Sequence, residues 1–187
     1  MKRKKLTASM IALVMSVSLP MTTYAANWYL EDGSVTVNAD NSGQTVTQGG
    51  TSTPDEAPVI TQRESSVETG NTIAINASDN ATANVTIKDI NIKSSKDAID
   101  VTGSSSANIT LEGDNKIFSE TGSALHISDG NVTINGSGSL KAEIQDEPSG
   151  YNHNAKIGSH EKEDMSGSIH ITGDATVKTD DNIASDC

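Results

Sequence analysis

The sequence has one cysteine and few aromatic side chains. Because Cys187 has no second cysteine to pair with, an internal disulfide and a cysteine-based metal cluster within the chain are excluded. Aromatic residues make up 3% of the sequence, which leaves few platforms for stacking bases. Phosphate backbones are bound through Lys and Arg, and acidic residues outnumber these 25 to 13. We therefore expect no nucleic-acid partner.

Long apolar runs are missing after residue 25, so we expect no membrane span once a leader is removed. Residues 1–25 begin with a basic stretch and continue with an apolar run over 6–19. Pro20 and the small-residue end at Ala25 follow. This order is typical of a secretory signal peptide. We predict a protein that is secreted or held in a bacterial cell envelope, because a secreted chain without disulfides suits that envelope better than a eukaryotic extracellular space.

Positive charge is also scarce. The signal region contains four basic residues and no acid, so its removal shifts the formal net charge from -12 to -16. Lysines in the remainder are spread over predicted turns and strand ends without an evident cluster. The apolar content is 34%, against about 45 to 50% in typical domains when Gly is also counted. The sequence therefore predicts a narrow core.

A short phrase with period-2 alternation recurs along the chain. Its copies are Asn84-Val85-Thr86-Ile87, Asn108-Ile109-Thr110-Leu111, Asn131-Val132-Thr133-Ile134 and Ser168-Ile169-His170-Ile171. The steps between their first apolar residues are 24, 23 and 37 residues. Equal steps of this size are typical of a solenoid, and the longer one predicts an insertion within about 143–167.

Two further strand signals follow each phrase. The second comes at Ile117, Leu140 and Val177, and the third at Ile99, Leu125 and Ile157. We predict an all-β, right-handed parallel β-helix with about 23–24 residues per coil, truncated at its C-terminus. The expected organisation is a signal peptide over 1–25, a polar segment or leading strands over 26–70, and coils over 71–187. Aligning the phrases places four side chains in one inward ladder: Ile87, Leu111, Ile134 and Ile171.

The later coils carry the motifs Ala155-Lys156-Ile157-Gly158-Ser159 and Ser166-Gly167-Ser168-Ile169-His170-Ile171-Thr172-Gly173. They resemble the repeats of secreted bacterial β-helix proteins known as carbohydrate-binding domain proteins. The resemblance covers about residues 72–179. It implies a solenoid similar to pectate lyases and binding of acidic plant polysaccharide, with calcium implicated. Asp174 and Lys156 depart from the small residues that this family typically has there.

Candidate sugar-binding residues fall into two groups. The aligned phrases predict an outward row formed by Thr86, Thr110 and Thr133. The insertion contains Tyr151, His153 and His160, and insertions of a solenoid often form its binding surface. Tyr151 is the best candidate for stacking on a sugar ring. A zinc site from His153 and His160 would need a third ligand in fixed geometry.

The abundant acids suggest calcium as a cofactor. Asp97, Asp100, Glu112 and Asp114 come from successive coils, and carboxylate oxygens are the ligands that Ca²⁺ takes in proteins. The alternative is that they are turn residues and solvated charges. An acidic protein approaches an acidic polysaccharide more readily through a bridging cation, so we expect such binding to require Ca²⁺.

The leading hypothesis for function is therefore a non-catalytic module that binds a polysaccharide or cell-surface glycan. A structural stalk or adhesin is the alternative. A polysaccharide lyase comes third, because it would need a basic residue beside a calcium cluster, and the single arginine after the signal, Arg63, precedes the repeats.

Overall fold

The computed structural model describes residues 25–145, 154–160 and 166–179. Within them the protein is all-β, with a 3-10 helix at Leu30–Asp32 and three sheets. Sheet A contains β1 (Asn27–Tyr29), β5 (Val59–Thr61), β7 (Thr82–Lys88), β10 (Ser106–Glu112), β13 (Asn131–Gly136) and β16 (Ser168–Ile171). Sheet B contains β2 (Val35–Asp40), β3 (Gly43–Gln48), β4 (Thr51–Pro54), β6 (Ile73–Ala77), β9 (Ile99–Thr102), β12 (Leu125–Ile127) and β15 (Ile157–Gly158). Sheet C contains β8 (Asn91–Ser94), β11 (Asp114–Ser119), β14 (Ser139–Ile144) and β17 (Thr176–Thr179).

From β7 onward the chain passes through sheets A, C and B in a repeating order. We call each such passage a circuit: β7 to β9 form the first, β10 to β12 the second and β13 to β15 the third. Equivalent strands of successive circuits pair in parallel in all three sheets. The predicted all-β architecture with parallel sheets is therefore confirmed.

The strands form because apolar and polar residues alternate, which directs every second side chain to the same side of a sheet. In β10 the inward residues Ala107, Ile109 and Leu111 are buried, while the residues between them are partly exposed. Buried Ile, Val, Leu and Ala side chains of all three sheets join one core cluster. The core is built largely of aliphatic residues, in keeping with the low content of aromatic side chains.

The predicted inward ladder is wrong in its register. Ile87 does lie opposite Leu111, but Leu111 lies opposite Gly136, and Ile134 lies opposite Ile109. The second and third circuits are therefore offset by 25 residues here, whereas the sequence alignment used 23. The alignment began at the first large apolar residue and overlooked Ala107, a small inward residue that pairs with Val132. A two-residue shift leaves the inward face unchanged, so alternation alone did not reveal the error.

Ile171 was also expected to point inward in that ladder. It pairs with Ile134, yet it is 42% exposed. Its strand, β16, has a partner on one side in sheet A, and the described residues provide none on the other. Burial in a stacked sheet depends on the next strand as much as on the direction of the side chain.

The third strand signal was aligned correctly. Ile99, Leu125 and Ile157 are successive partners in sheet B, and all three are buried. In sheet C the register again differs by two residues at one step, because Ile117 pairs with Ala142 and Leu140 pairs with Val177.

Residues 26–70 extend the sheets at the N-terminal side. β1 and β5 continue sheet A, and β2 pairs in parallel with β6. β3 and β4 then add two antiparallel strands to sheet B. The buried Gln44 side chain from β3 accepts a hydrogen bond from Asn84 N at 2.7 Å and donates one to Asn84 O at 3.0 Å. Its amide thus satisfies backbone groups of β7 at a point where β5 does not reach them.

None of the helices within the described residues has the length and apolar character needed to cross a membrane.

Candidate functional site

A column of lysines runs across the outer face of sheet C. Lys116 of β11 pairs with Lys141 of β14, which pairs in turn with Lys178 of β17. Adjacent strands are about 4.8 Å apart, so the three ammonium groups start from closely spaced backbone positions. The sequence showed no evident cluster of lysines, and the prediction that they are scattered is wrong for these three. It failed because a column in a sheet joins residues that are far apart in the chain.

An aromatic side chain lies beside this column. Phe118 is partly exposed, and its strand partners are Lys93 in β8 and Glu143 in β14. The Lys93 ammonium lies 5.6 Å from the centre of the Phe118 ring. A shallow groove of about 280 Å³ contains this ring, and it is lined by Glu68, Asn91, Ile92, Lys93, Lys116, Ile117, Phe118 and Glu143.

The charges of this face are unevenly paired. Lys141 lies 2.8 Å from Glu143, and Lys93 lies 4.0 Å from Glu68. Among the described residues, Lys116 and Lys178 have no carboxylate within ion-pair distance. Four of the nine basic residues after position 25 thus share one face of a strongly acidic protein. We call Lys93, Lys116, Lys141, Lys178 and Phe118 the lysine face.

The predicted threonine row is broken by the register of sheet A. Thr86 and Thr110 are partners, but Thr110 lies opposite Asn135 and donates a hydrogen bond to its Oδ1 at 3.0 Å. Thr133 lies opposite Asn108 instead. The prediction that the three threonines align is therefore wrong, and the outer face of sheet A presents mixed Thr and Asn side chains.

The four predicted calcium ligands fall into two places. Glu112 forms an ion pair with Lys88 at 3.1 Å, at the end of β10. Asp114 begins β11 in sheet C and accepts a hydrogen bond from Ser139 Oγ at 2.8 Å. Asp100 lies within sheet B and Asp97 lies beside it, and both contact histidines. Each pair of acids is thus engaged by a different set of neighbours.

Two histidines and two aspartates meet on the outer side of sheet B. Asp100, His126 and Gly158 are successive strand partners, and His160 follows two residues after Gly158. His126 Nδ1 lies 2.8 Å from Asp100 Oδ1, and His160 Nε2 lies 2.8 Å from Asp97 Oδ1. The two imidazole rings stack with centroids 4.0 Å apart. We call Asp97, Asp100, His126 and His160 the histidine cluster.

Sequence reasoning placed Asp97, Asp100 and His160 among candidate site residues but missed His126. The third strand signal contained the needed information, since Ile99 and Leu125 align and the next residues are Asp100 and His126. The proximity of His160 had no comparable signal, because it depends on how the chain after β15 returns to the sheet.

A second groove, of about 470 Å³, lies on sheet A and includes Asn27, Tyr29, Arg63, Lys88 and Glu112. Arg63 donates two hydrogen bonds to Asp32, at 2.9 and 2.7 Å, and its guanidinium lies 4.0 Å from the centre of the Tyr29 ring. Through these hydrogen bonds Arg63 lowers the pKa of Asp32, and Asp32 raises the pKa of Arg63. This arginine is engaged in local structure, which argues against a role as the base of a lyase.

Tyr151 and His153 lie outside the described residues. No protein-family model, curated protein or solved structure matches the chain. The resemblance to carbohydrate-binding β-helix proteins therefore stays a hypothesis that depends on the motifs of this sequence.

Proposed function

We propose that this protein is a secreted, non-catalytic parallel β-helix module that binds an anionic polysaccharide through the lysine face. The observation that carries the proposal is the register of Lys116, Lys141 and Lys178 in sheet C. Three parts of this proposal are predictions made from the sequence: the solenoid is right-handed, and the protein is secreted and non-catalytic.

Electrostatics supports an anionic ligand. Like charges that face each other on adjacent strands destabilise a sheet, and this chain has 25 acidic residues that are available as partners. The described structure nevertheless places Lys116 and Lys178 on either side of Lys141. Lys141 is paired with Glu143, so a polymer with repeated carboxylate or sulfate groups would neutralise the ammonium groups of Lys116 and Lys178 on either side of it.

The chemistry of the groove supports a sugar as the carrier of that charge. Phe118 offers an apolar surface to a sugar ring, while Asn91 and Glu143 offer polar groups to its hydroxyls. Binding sites commonly combine an apolar wall with a few polar groups that fix orientation.

The lysine face also bears on the calcium prediction. A carboxylate of the polysaccharide can pair with an ammonium group directly, so the net negative charge of the protein does not by itself impose a bridging cation. The requirement for Ca²⁺ stays a prediction, and it is tested together with the lysines below.

The test compares binding to polygalacturonate with binding to its fully methyl-esterified form, which has the same backbone without the charge. We expect calorimetry to detect binding to the first polymer and at least tenfold weaker binding to the second. The double variant K116Q/K178Q should weaken polygalacturonate binding about 2- to 30-fold, since each exposed contact of this kind is worth about 0.2–1 kcal/mol.

The matched control is Lys88→Gln, which removes a lysine from sheet A and should leave binding unchanged. Unaltered binding by K116Q/K178Q would contradict the lysine face. Loss of binding in chelator, with no effect of the lysine variants, would assign the contact to bridging calcium. An absence of binding to anionic glycans would favour the structural stalk.

A further inference from the structure

The histidine cluster is independent of the lysine face, and its chemistry is different. One nitrogen from each of His126 and His160 and a carboxylate oxygen of Asp97 lie within 4.8 Å of one another. Donor atoms in a tetrahedral zinc site are about 3.3 Å apart, as follows from metal–ligand distances of about 2.0–2.1 Å. The side chains must therefore move closer together to surround one ion.

We propose that Asp97, His126 and His160 bind a divalent transition-metal ion of the Zn²⁺ type. Two imidazoles and one carboxylate are a donor set that suits zinc and its neighbours, whereas Ca²⁺ takes oxygen ligands. The described residues supply three ligands, and a tetrahedral site takes a fourth.

Asp100 acts as a positioning residue in this site. Its carboxylate lies 2.8 Å from His126 Nδ1, a contact that orients the ring and directs Nε2 away from the carboxylate. Such carboxylate–histidine pairs are typical of metal sites, where the outer partner sets the tautomer of the ligand. His126 is 8% exposed in its side chain, so its orientation is well constrained by its surroundings.

Ser123 borders the site through its backbone. Its backbone N–H donates to Asp97 Oδ1 at 2.7 Å, while its buried hydroxyl oxygen has no hydrogen-bond partner among the described residues. Buried hydroxyls are nearly always paired in folded proteins. Among the described residues, Ser123 Oγ is the one buried side-chain polar atom without a partner.

Stacking of the rings defines the movement that metal binding requires. The ring planes are 13° from parallel. A metal ion binds an imidazole nitrogen near the plane of its ring. One ring must therefore turn before both can bind the same ion. His160 is the ring expected to turn, because its side chain is 29% exposed whereas that of His126 is 8% exposed. The ion then takes the place of the proton between His160 Nε2 and Asp97 Oδ1.

Bound metal would join three successive circuits. Asp97 precedes β9, His126 lies in β12 and His160 follows β15. An ion that binds the folded state in preference to the unfolded chain raises the unfolding temperature in proportion to the logarithm of its concentration. Metal binding should therefore be detectable without any knowledge of the glycan.

The experiment is a Zn²⁺ titration of the purified protein by calorimetry, followed by thermal unfolding with and without Zn²⁺. We expect one saturable site and a higher unfolding temperature with the metal. His160→Ala and Asp97→Asn should each weaken binding at least tenfold. Asp100→Asn should weaken it by about 10- to 100-fold through the loss of positioning.

His170→Ala is the matched control, because His170 is an exposed histidine on sheet A and lies outside the cluster. NMR of the histidine ring protons should show loss of the stacked arrangement when Zn²⁺ is added. Co²⁺ should give the intense visible absorption of a tetrahedral site. His126→Gln is a further variant, and the partly exposed His160 provides the test if that variant fails to fold.

Absence of saturable Zn²⁺ binding would overturn the proposal. Binding that is weakened by His170→Ala but not by His160→Ala or Asp97→Asn would overturn it equally, since the ion would then occupy a surface histidine.

Discussion

Individual inward side chains carry the stability of this protein, because each sheet contributes two or three of them per strand. Leu111 is fully buried, between Ile87 and Gly136 of the neighbouring strands. The glycine adds no side chain on one side, so the leucine fills space that the next circuit leaves open. Neighbouring circuits thus complement each other in size.

Leu111→Ala should lower the free energy of unfolding by about 2–5 kcal/mol, since it removes buried methyl groups and leaves a cavity. Thr110→Ala, one residue away and partly exposed, should cost about 1 kcal/mol through its hydrogen bond to Asn135. Urea unfolding of both variants provides the measurement. Equal losses would contradict the inward direction of Leu111.

Gly136 is required where two circuits approach each other. Its φ is 106°, and a Cβ placed there would lie 2.3 Å from the carbonyl oxygen of Leu111. Gly49 has a φ of 58° but no atom within 4 Å of such a Cβ. Gly136 thus combines a φ outside the left-handed helical region with a close approach, whereas Gly49 lies inside that region and has open space around it.

Gly49→Ala should cost about 1–2 kcal/mol, the penalty of a left-handed residue. Gly136→Ala should cost clearly more, because the backbone of Leu111 must also move. Thermal unfolding of the two variants under the same conditions compares these costs. Equal destabilisation would mean that the contact with Leu111 is relieved without strain.

At the level of elements, the lysine column predicts a conflict between stability and binding. Lys116 neighbours Lys141 across the strands, so Lys116→Glu replaces a repulsive pair by an attractive one. Opposite-charge pairs across strands contribute about 0.2–1 kcal/mol. We expect this variant to be more stable in urea and weaker in binding polygalacturonate.

Lys88→Glu is the converse change, since it places a second carboxylate beside Glu112 in sheet A. It should lower stability by a similar amount and leave binding unaltered. A Lys116→Glu protein that is less stable than the parent would show that the lysine column stabilises sheet C without a ligand.

The ion pair between Asp32 and Arg63 joins the 3-10 helix to the segment after β5. Arg63 lowers the pKa of Asp32 below its ordinary value of 3.8. The contact therefore stabilises the folded protein above pH 3.8, and this stabilisation is lost as the pH falls through the lowered pKa. Asp32→Asn should therefore make stability less dependent on pH below about 4. Acid unfolding curves provide the test, and Arg63→Gln should flatten them in the same way.

At the scale of the whole molecule, separate outer faces have different chemistry. Sheet C presents lysines and Phe118, sheet A presents Thr and Asn, and sheet B presents the histidine cluster. Each face repeats with the circuits, because equivalent strands stack in parallel. The proposed glycan and metal sites are consequently on different faces and can be tested by separate variants.

Several features of this protein could be predicted from its sequence alone. Alternation with a period of two residues determines which side chains point inward, and it led correctly to the parallel all-β architecture and to the partnership of Ile99, Leu125 and Ile157. Alternation is a local property of each strand, and the partnership of these three residues followed from comparing the phrases that recur along the chain.

Only the tertiary structure decided the register and the sites. A shift of two residues keeps every side chain on its face, so the sequence did not distinguish Ile134 opposite Leu111 from Ile134 opposite Ile109. The lysine column depends on the corresponding shift in sheet C, where Ile117 pairs with Ala142. The contact between Asp97 and His160 joins residues 63 positions apart. Such contacts arise from stacking of circuits in space, which a local pattern of alternation does not encode.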